Sequence, residues 1–200
     1  MEKSISSTKD LTGISFLSAL GLLLMVMNTA LPFFPVFLRI DLGDLPVLMG
    51  YRIYGVKAGI GVAFMKNFLH LFLSQTMGIG ELMNFILSLV FILSLHFLLK
   101  LNFFPKKLGD TFSQAAVLSF TTVITALFAL LANFFIMLPL YRIFLGITPE
   151  MILSLAQSFN PSINSLFTYF FILLLPFNLL KFGVLSILYY LIEKNVRSVM

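Results

Sequence analysis

Polar side chains are few in this chain, and the most constrained of them sit inside apolar stretches long enough to cross a bilayer. Lys66, Asn67 and His70 share one stretch, Glu81 and Asn84 a second, and Asn178 and Lys181 a third. An ionisable group at membrane depth costs about 2.5–3.5 kcal/mol on insertion scales unless it faces a partner or a cavity, so such residues mark functional sites. The chain therefore reads as a membrane protein with a polar pocket inside it. Hydrophobic residues make up 60% of its 200 residues and charged ones only 10%, too few to coat a water-soluble protein of this size. The net charge of +5 fits the Lys/Arg excess of cytoplasmic loops, and no nucleic-acid-binding motif accompanies it. The sequence has no cysteine, hence no disulfide framework or thiolate chemistry. His70 and His96 are not at metal-ligand spacing, and neither a metal nor a cofactor is expected.

A spanning helix needs about 20 apolar residues. Leu11–Ala30, Gly80–Leu99, Phe112–Leu140 and Ser165–Ile192 meet this directly. The first is longer than the apolar core of a secretory signal, about 7–15 residues, and reads as a retained span. The last two are long enough to tilt, and they tolerate Pro139 and Pro176 where neighbours satisfy the freed carbonyls. Pro46–Gln75 reads either as one helix, giving five spans, or as two. In the second reading a short helix ends at Tyr54, the chain breaks over Gly55-Val56-Lys57-Ala58-Gly59, and another helix runs to Gln75. The positive-inside rule separates the two. With six spans, Lys3, Lys9, Lys57, Lys100, Lys106, Lys107, Lys194 and Arg197 gather on one side. Arg39 and Arg142 lie opposite, and Arg52, Lys66 and Lys181 lie at membrane depth.

The expected fold is thus an all-α membrane domain over 1–200, with six transmembrane helices and both termini cytoplasmic. Its spans fall at about 11–30, 46–54, 59–75, 80–99, 112–140 and 165–192. Outside, the apolar, proline- and aromatic-containing segment Leu31–Leu45 reads as a lid over the pocket, or else as a loop resting in headgroups. Thr76–Gly80 forms a tight turn. Thr148-Pro149-Glu150 opens a short surface helix within Phe144–Asn164.

Asn178 and Lys181 are three apart and share a helix face. Lysine donates and asparagine both donates and accepts, which suits a planar heterocycle whose edge alternates carbonyls and N–H groups. Glu81 and Asn84 repeat that spacing and Ser88 continues their face, while Gly78 and Gly80 let the backbone approach a ligand or move. Lys66 and His70 share a face at i, i+4. A purely structural alternative has Lys66 and Glu81 neutralising each other as a buried pair. Asn133 and Tyr141 are the polar positions of the fifth span, and Asn133 alternatively bonds another helix. Ser15-x-x-x-Ala19 is a small-xxx-small spacing that lets a partner helix approach. No H-E-x-x-H, G-x-S-x-G or phosphate-loop motif is present, so neither catalysis nor ATP coupling is expected of this chain.

Five segments carry a family resemblance: IDLGDLPVLMG (Ile40–Gly50), KNFLHLF (Lys66–Phe72), GIGELMNF (Gly78–Phe85), NFFIMLPLY (Asn133–Tyr141) and PFNLLK (Pro176–Lys181). Over essentially its whole length the chain resembles the substrate-binding S components of energy-coupling factor (ECF) vitamin transporters, most closely the riboflavin-specific group. The resemblance implies six membrane helices and high-affinity riboflavin binding near the outer face beneath the first loop. It implies contacts from Asn133, Asn178 and Lys181 to the isoalloxazine ring, with Glu81, Asn84, Gly78 and Gly80 near the ribityl hydroxyls. Asp44 and its loop would close the lid, and Lys66 and His70 line the same region. It further implies docking, through Ser15 and Ala19 in place of the usual Ala-x-x-x-Ala, on a membrane coupling protein driven by two ATPases in the bacterial cell membrane. The alternatives are another planar vitamin, thiamine or folate, and, from a different class, an intramembrane enzyme using Glu81 with His70.

Overall fold

A computed structural model describes residues 7–35, 37–103 and 110–199. Lys3, Lys106 and Lys107 of the expected basic side lie outside the described residues, as does the side chain of Arg197. Helix α1 spans Thr8–Val26, opened by the Ser7 hydroxyl accepting from the Lys9 amide at 3.2 Å. Two short antiparallel strands follow, β1 at Thr29–Ala30 and β2 at Arg39–Ile40, with Thr29 opposite Ile40. Helix α2 spans Asp44–Tyr54 and α3 spans Val56–His70, with a final tight turn at Leu71–Leu73. Helix α4 spans Ile79–Lys100. Helix α5 starts at Asp110–Ala132, widens through a π-helical stretch at Asn133–Met137 and continues as Leu138–Leu145. Helix α6 spans Pro149–Phe159, and α7 runs from Leu166–Thr168 through a second π-helical stretch at Tyr169–Leu174 into Leu175–Val199.

The described residues thus form seven helices, five of them long and apolar enough to cross a membrane. The sixth expected span is α2. With 11 residues it extends about 16 Å at 1.5 Å per residue, roughly half a hydrocarbon core. The expected break between α2 and α3 is present but shorter than read, a single residue, Gly55, at φ +94°. Without a Cβ, glycine takes that conformation at little cost, and the chain reverses there. The surface helix expected from Thr148-Pro149-Glu150 is α6, with Pro149 in its first turn.

Chain order largely sets packing. Helix α1 packs on α2 and α3, α2 on α3, α3 on α4, α4 on α5, and α5 on α7. One apolar core, with Val62, Phe91, Ile92, Leu95 and Phe182 nearly or wholly buried, fills the bundle. A second, with Ala156, Ile163, Tyr169, Leu173 and Phe177, joins α6 and α7 to Leu38 of the first loop. Phe16, Phe97, Phe135, Ile143 and Phe167 face outward, as bilayer-facing helices require. Thr122 and Ser186 hydroxyls bond at 2.8 Å across α5 and α7.

Both π-helical stretches precede a proline, Pro139 and Pro176. Proline has no N–H and its ring collides with the carbonyl four residues earlier. Those carbonyls belong to Phe135 and Ile172, each inside the widened stretch, where the wider hydrogen-bonding pattern relieves the conflict.

Helix α1 and the first loop meet through two glycines. A Cβ on Gly43 would lie 2.8 Å from the Gly21 carbonyl oxygen and 3.0 Å from the Met25 Cβ. Gly43 itself has an ordinary helical φ of −61°, so the constraint is steric alone. Gly43→Ala is expected to lower the thermal midpoint of the detergent-solubilised protein through overpacking of about 1–3 kcal/mol. An unchanged midpoint would contradict the close approach.

Candidate functional site

Three linked clusters of polar side chains lie at the end of the bundle that carries the first loop. The innermost is built on Lys66, whose side chain is 0% exposed. Its expected partner Glu81 is not the one it meets. The Lys66 ammonium lies 2.9 Å from Asp44 Oδ1 and donates to Asn84 Oδ1 at 3.4 Å. Ser88 Oγ donates to the same Asp44 oxygen, and the Asn84 amide points its N–H at the Met25 sulfur. Asp44 heads α2, where the positive end of the helix dipole favours a carboxylate. Its other oxygen, Oδ2, is buried with no hydrogen-bond partner among the described residues, as is Asn67 Oδ1.

Glu81 belongs to the second cluster. Its Oε1 is 2.8 Å from His70 Nδ1, and its Oε2 accepts from Ser74 Oγ at 2.8 Å. Ser74 and Thr76 also hold the turn between α3 and α4. Ser74 Oγ accepts from the Gly78 amide at 2.9 Å and Thr76 Oγ1 from the Gly80 amide at 3.0 Å. Gly78 sits at φ +85°, where a side chain is strained, so glycine is required there. The amides of Gly78 and Gly80 are therefore occupied within the turn.

The third cluster joins the loop to α7. Lys181 Nζ donates to Asp41 Oδ2 at 3.1 Å, and Asp41 Oδ1 accepts from the Gly43 amide at 3.0 Å. Burial alone would raise the Asp41 pKa. The ammonium groups of Lys181 and Lys66, with the Lys181 and Gly43 hydrogen bonds, outweigh it and hold the carboxyl below its ordinary value. This stabilisation is complete above the ordinary aspartate range and is lost as pH falls through the depressed value. Phe34 of the loop meets Phe177 edge-on at 5.4 Å, beside Asn178.

Asn178 is buried and its amide N–H donates to the Leu174 carbonyl at 2.8 Å; Asn133 does the same to Ala129 at 2.8 Å. Neither amide N–H is spent on another helix. Both carbonyl partners lie four residues back, so the side chains are pinned by their own helices beside the proline-induced stretches. Ser15 and Ala19 are exposed on α1, in line with exposed Leu11 and Leu23. Sequence reasoning gave no role to Asp41, Ser74 or Thr76. The signal for Asp41 was present: two aspartates in the first loop face two lysines at membrane depth.

Residues 9–193 match the family described as ECF transporter, substrate-specific component. The riboflavin transporter RibU of Staphylococcus aureus (strain TCH60) is 28% identical over 195 residues, covering 98% of this chain and 94% of that protein. The riboflavin transporter FmnP of Bacillus subtilis (strain 168) is 32% identical over 187 residues, covering 92% and 90%. The fold is similar to a solved S component of a bacterial ECF transporter, with a TM-score of 0.70 and 27% identity over 96% of this chain and 98% of that one.

The Lys66–Asp44 pair generates a double-substitution test. Lys66→Met alone leaves a buried carboxylate without its cation, at an expected cost of about 3–5 kcal/mol. Combining it with Asp44→Asn removes the orphaned charge and should recover much of the thermal midpoint. Strictly additive losses would show that the two side chains do not act as a pair.

Proposed function

Because the chain belongs to the substrate-specific components of ECF transporters, we propose that it is the riboflavin-binding subunit of such an importer. It is a transporter subunit and not an enzyme. The observation that carries the ligand reading is the Asp41–Lys181 contact, which draws the first loop onto the α7 face that also bears Asn178. A lysine ammonium has three donors. Lys181 can keep Asp41 with one and offer another to a ring carbonyl, so the same cation would hold both ligand and lid. Asn178 and Asn133 each have an amide oxygen and a second N–H for the edge of the isoalloxazine ring, and Phe34 and Phe177 supply aromatic surface.

The ribityl chain would run toward Glu81 and Asn84. His70, Ser74 and Thr76 fix the Glu81 carboxylate in place, and Oε1, which meets only His70, keeps a further lone pair for a ligand hydroxyl. The unpartnered Asp44 Oδ2 is a second buried acceptor close by. With the turn amides of Gly78 and Gly80 engaged, that segment would meet the ligand through its shape. Lys66 is read here as the support of Asp44 and Asn84, one step back from the ligand. The matching relatives are named riboflavin transporters, which favours this vitamin over thiamine or folate.

The chain has no phosphate loop, so the energy for import would come from partners: a membrane coupling protein and two ATPases. Ser15 and Ala19, small and outward-facing on α1, suit close approach of a coupling helix. The distribution of Lys and Arg supports both termini on the cytoplasmic side of a bacterial cell membrane, with the lid outside.

Riboflavin titrated into the detergent-purified protein should be quenched saturably. Lys181→Ala or Asn178→Ala should weaken binding about tenfold or more, the loss of a hydrogen bond involving a charged or buried group. Riboflavin that stays fully fluorescent beside folded protein well above micromolar concentration would overturn the assignment.

A further inference from the structure

A cavity of about 910 Å³ opens at the other end of the bundle, where α2 and α4 finish, α3 and α5 begin and α7 passes. Leu95, Leu99, Val117 and Leu118 form an apolar wall, and Arg52, His96 and Lys100 bring nitrogen donors to the same space. The one carboxylate in the lining is Glu193, and it is already engaged: its Oε1 accepts from Arg52 Nε at 3.0 Å.

That bond has a geometric consequence. The guanidinium is planar, and fixing Nε leaves the two terminal nitrogens, the forked pair that matches two oxygens of one phosphate. Among the described residues no further hydrogen bond reaches them, although the Arg52 side chain is 47% exposed and Glu193 only 12%. Lys100 is exposed at the last position of α4 and makes no ion pair among the described residues. His96 touches Tyr51 edge-on at 6.2 Å, and neither of its ring nitrogens is hydrogen-bonded among the described residues. A structural staple between α2 and α7 needs only Arg52 Nε and Glu193. It leaves Lys100, His96 and the free end of Arg52 without a purpose around a space much larger than a packing gap.

We propose that this cavity binds the phosphate headgroup of an anionic membrane lipid, held by the Arg52 fork and the Lys100 ammonium. Phosphate is the shared chemistry of a lipid headgroup and a soluble phosphate ester. The lipid is favoured because the apolar wall includes Leu99, 47% exposed, and the neighbouring Phe97 of α4 is 59% exposed, giving acyl chains apolar surface on the outside of the bundle. Basic pockets between membrane helices on the cytoplasmic side take such headgroups.

The test uses the full chain in a neutral detergent, titrated with dioleoylphosphatidylglycerol, dioleoylphosphatidylcholine, glycerol 3-phosphate and inorganic phosphate. Native mass spectrometry counts bound molecules, and thermal melting reads the stabilisation. Phosphatidylglycerol should give a one-to-one adduct and raise the midpoint, with phosphatidylcholine markedly weaker and the soluble phosphates inert. Lys100→Gln leaves the Arg52–Glu193 bond untouched and should weaken phosphatidylglycerol binding about fivefold. Arg52→Lys keeps the charge but loses the fork, and should weaken it similarly. Equal retention of phosphatidylglycerol by both variants and the parent, or equal binding of phosphatidylcholine, would overturn the site. A response to the soluble phosphates without one to phosphatidylglycerol would overturn the lipid as its occupant.

Discussion

The end of this molecule that carries the first loop depends on the buried ion pair between Lys66 and Asp44. Removing a lysine and an aspartate from water costs several kcal/mol per ion, recovered only if each meets the other in good geometry with further hydrogen bonds. Asn84 and Ser88 provide those bonds, and the positive end of the α2 dipole favours the carboxylate. Because Asp44 must reach Lys66 and Ser88, the chain cannot wait at the membrane surface before starting α2. Ser88 lies about 14 Å along α4 from its first residue at 1.5 Å per residue, and Asp44 is drawn to that depth. The shortness of α2 follows: a helix that begins beside the middle of α4 needs only about half the length of α4 to reach its end. The first loop fills the other half, pinned by its small hairpin and by the Gly21–Gly43 approach.

A loop at that depth must satisfy its own backbone, since hydrocarbon offers no hydrogen bonds and irregular chain is tolerated only where protein buries it. The hairpin pairing, the Asp41-to-Gly43 bond and the apolar cluster shared with α6 and α7 meet that requirement. The second ion pair, Asp41 with Lys181, then ties the loop to α7. The two prolines act on the same region from the opposite side. The helices widen just before Pro139 and Pro176, and Asn133 and Asn178 lie in or beside those stretches. The Asp41–Lys181 pair brings the loop to the α7 face that also bears Asn178.

Much of this was legible in the sequence. Hydropathy marked four of the long apolar helices directly, the Lys/Arg distribution divided Pro46–Gln75 into two, Gly55 announced the α2–α3 reversal, and Thr148-Pro149-Glu150 announced α6. The polar residues stood out as ones that need buried partners because apolar surroundings make each of them costly. Their pairing was not legible. Lys66 and Glu81 are near in sequence and opposite in charge, yet Lys66 takes Asp44 and Glu81 takes His70. Helical spacing tells which residues share a face and says nothing of which faces meet. The π-helical widening was hidden for a related reason: proline demands some accommodation, and whether the helix kinks or widens depends on its neighbours.

At the end of the bundle that carries the first loop, Asp41, Asp44 and Glu81 face Lys66 and Lys181, and each lysine already has a carboxylate within 3.1 Å. On the function proposed above, a ligand would be selected through hydrogen bonds left over after the ion pairs are made and through aromatic contact. That logic suits a neutral, planar, hydroxyl-bearing molecule. It also accounts for lysines where the membrane disfavours them: Lys66 and Lys181 hold Asp44 and Asp41 of the first loop in place.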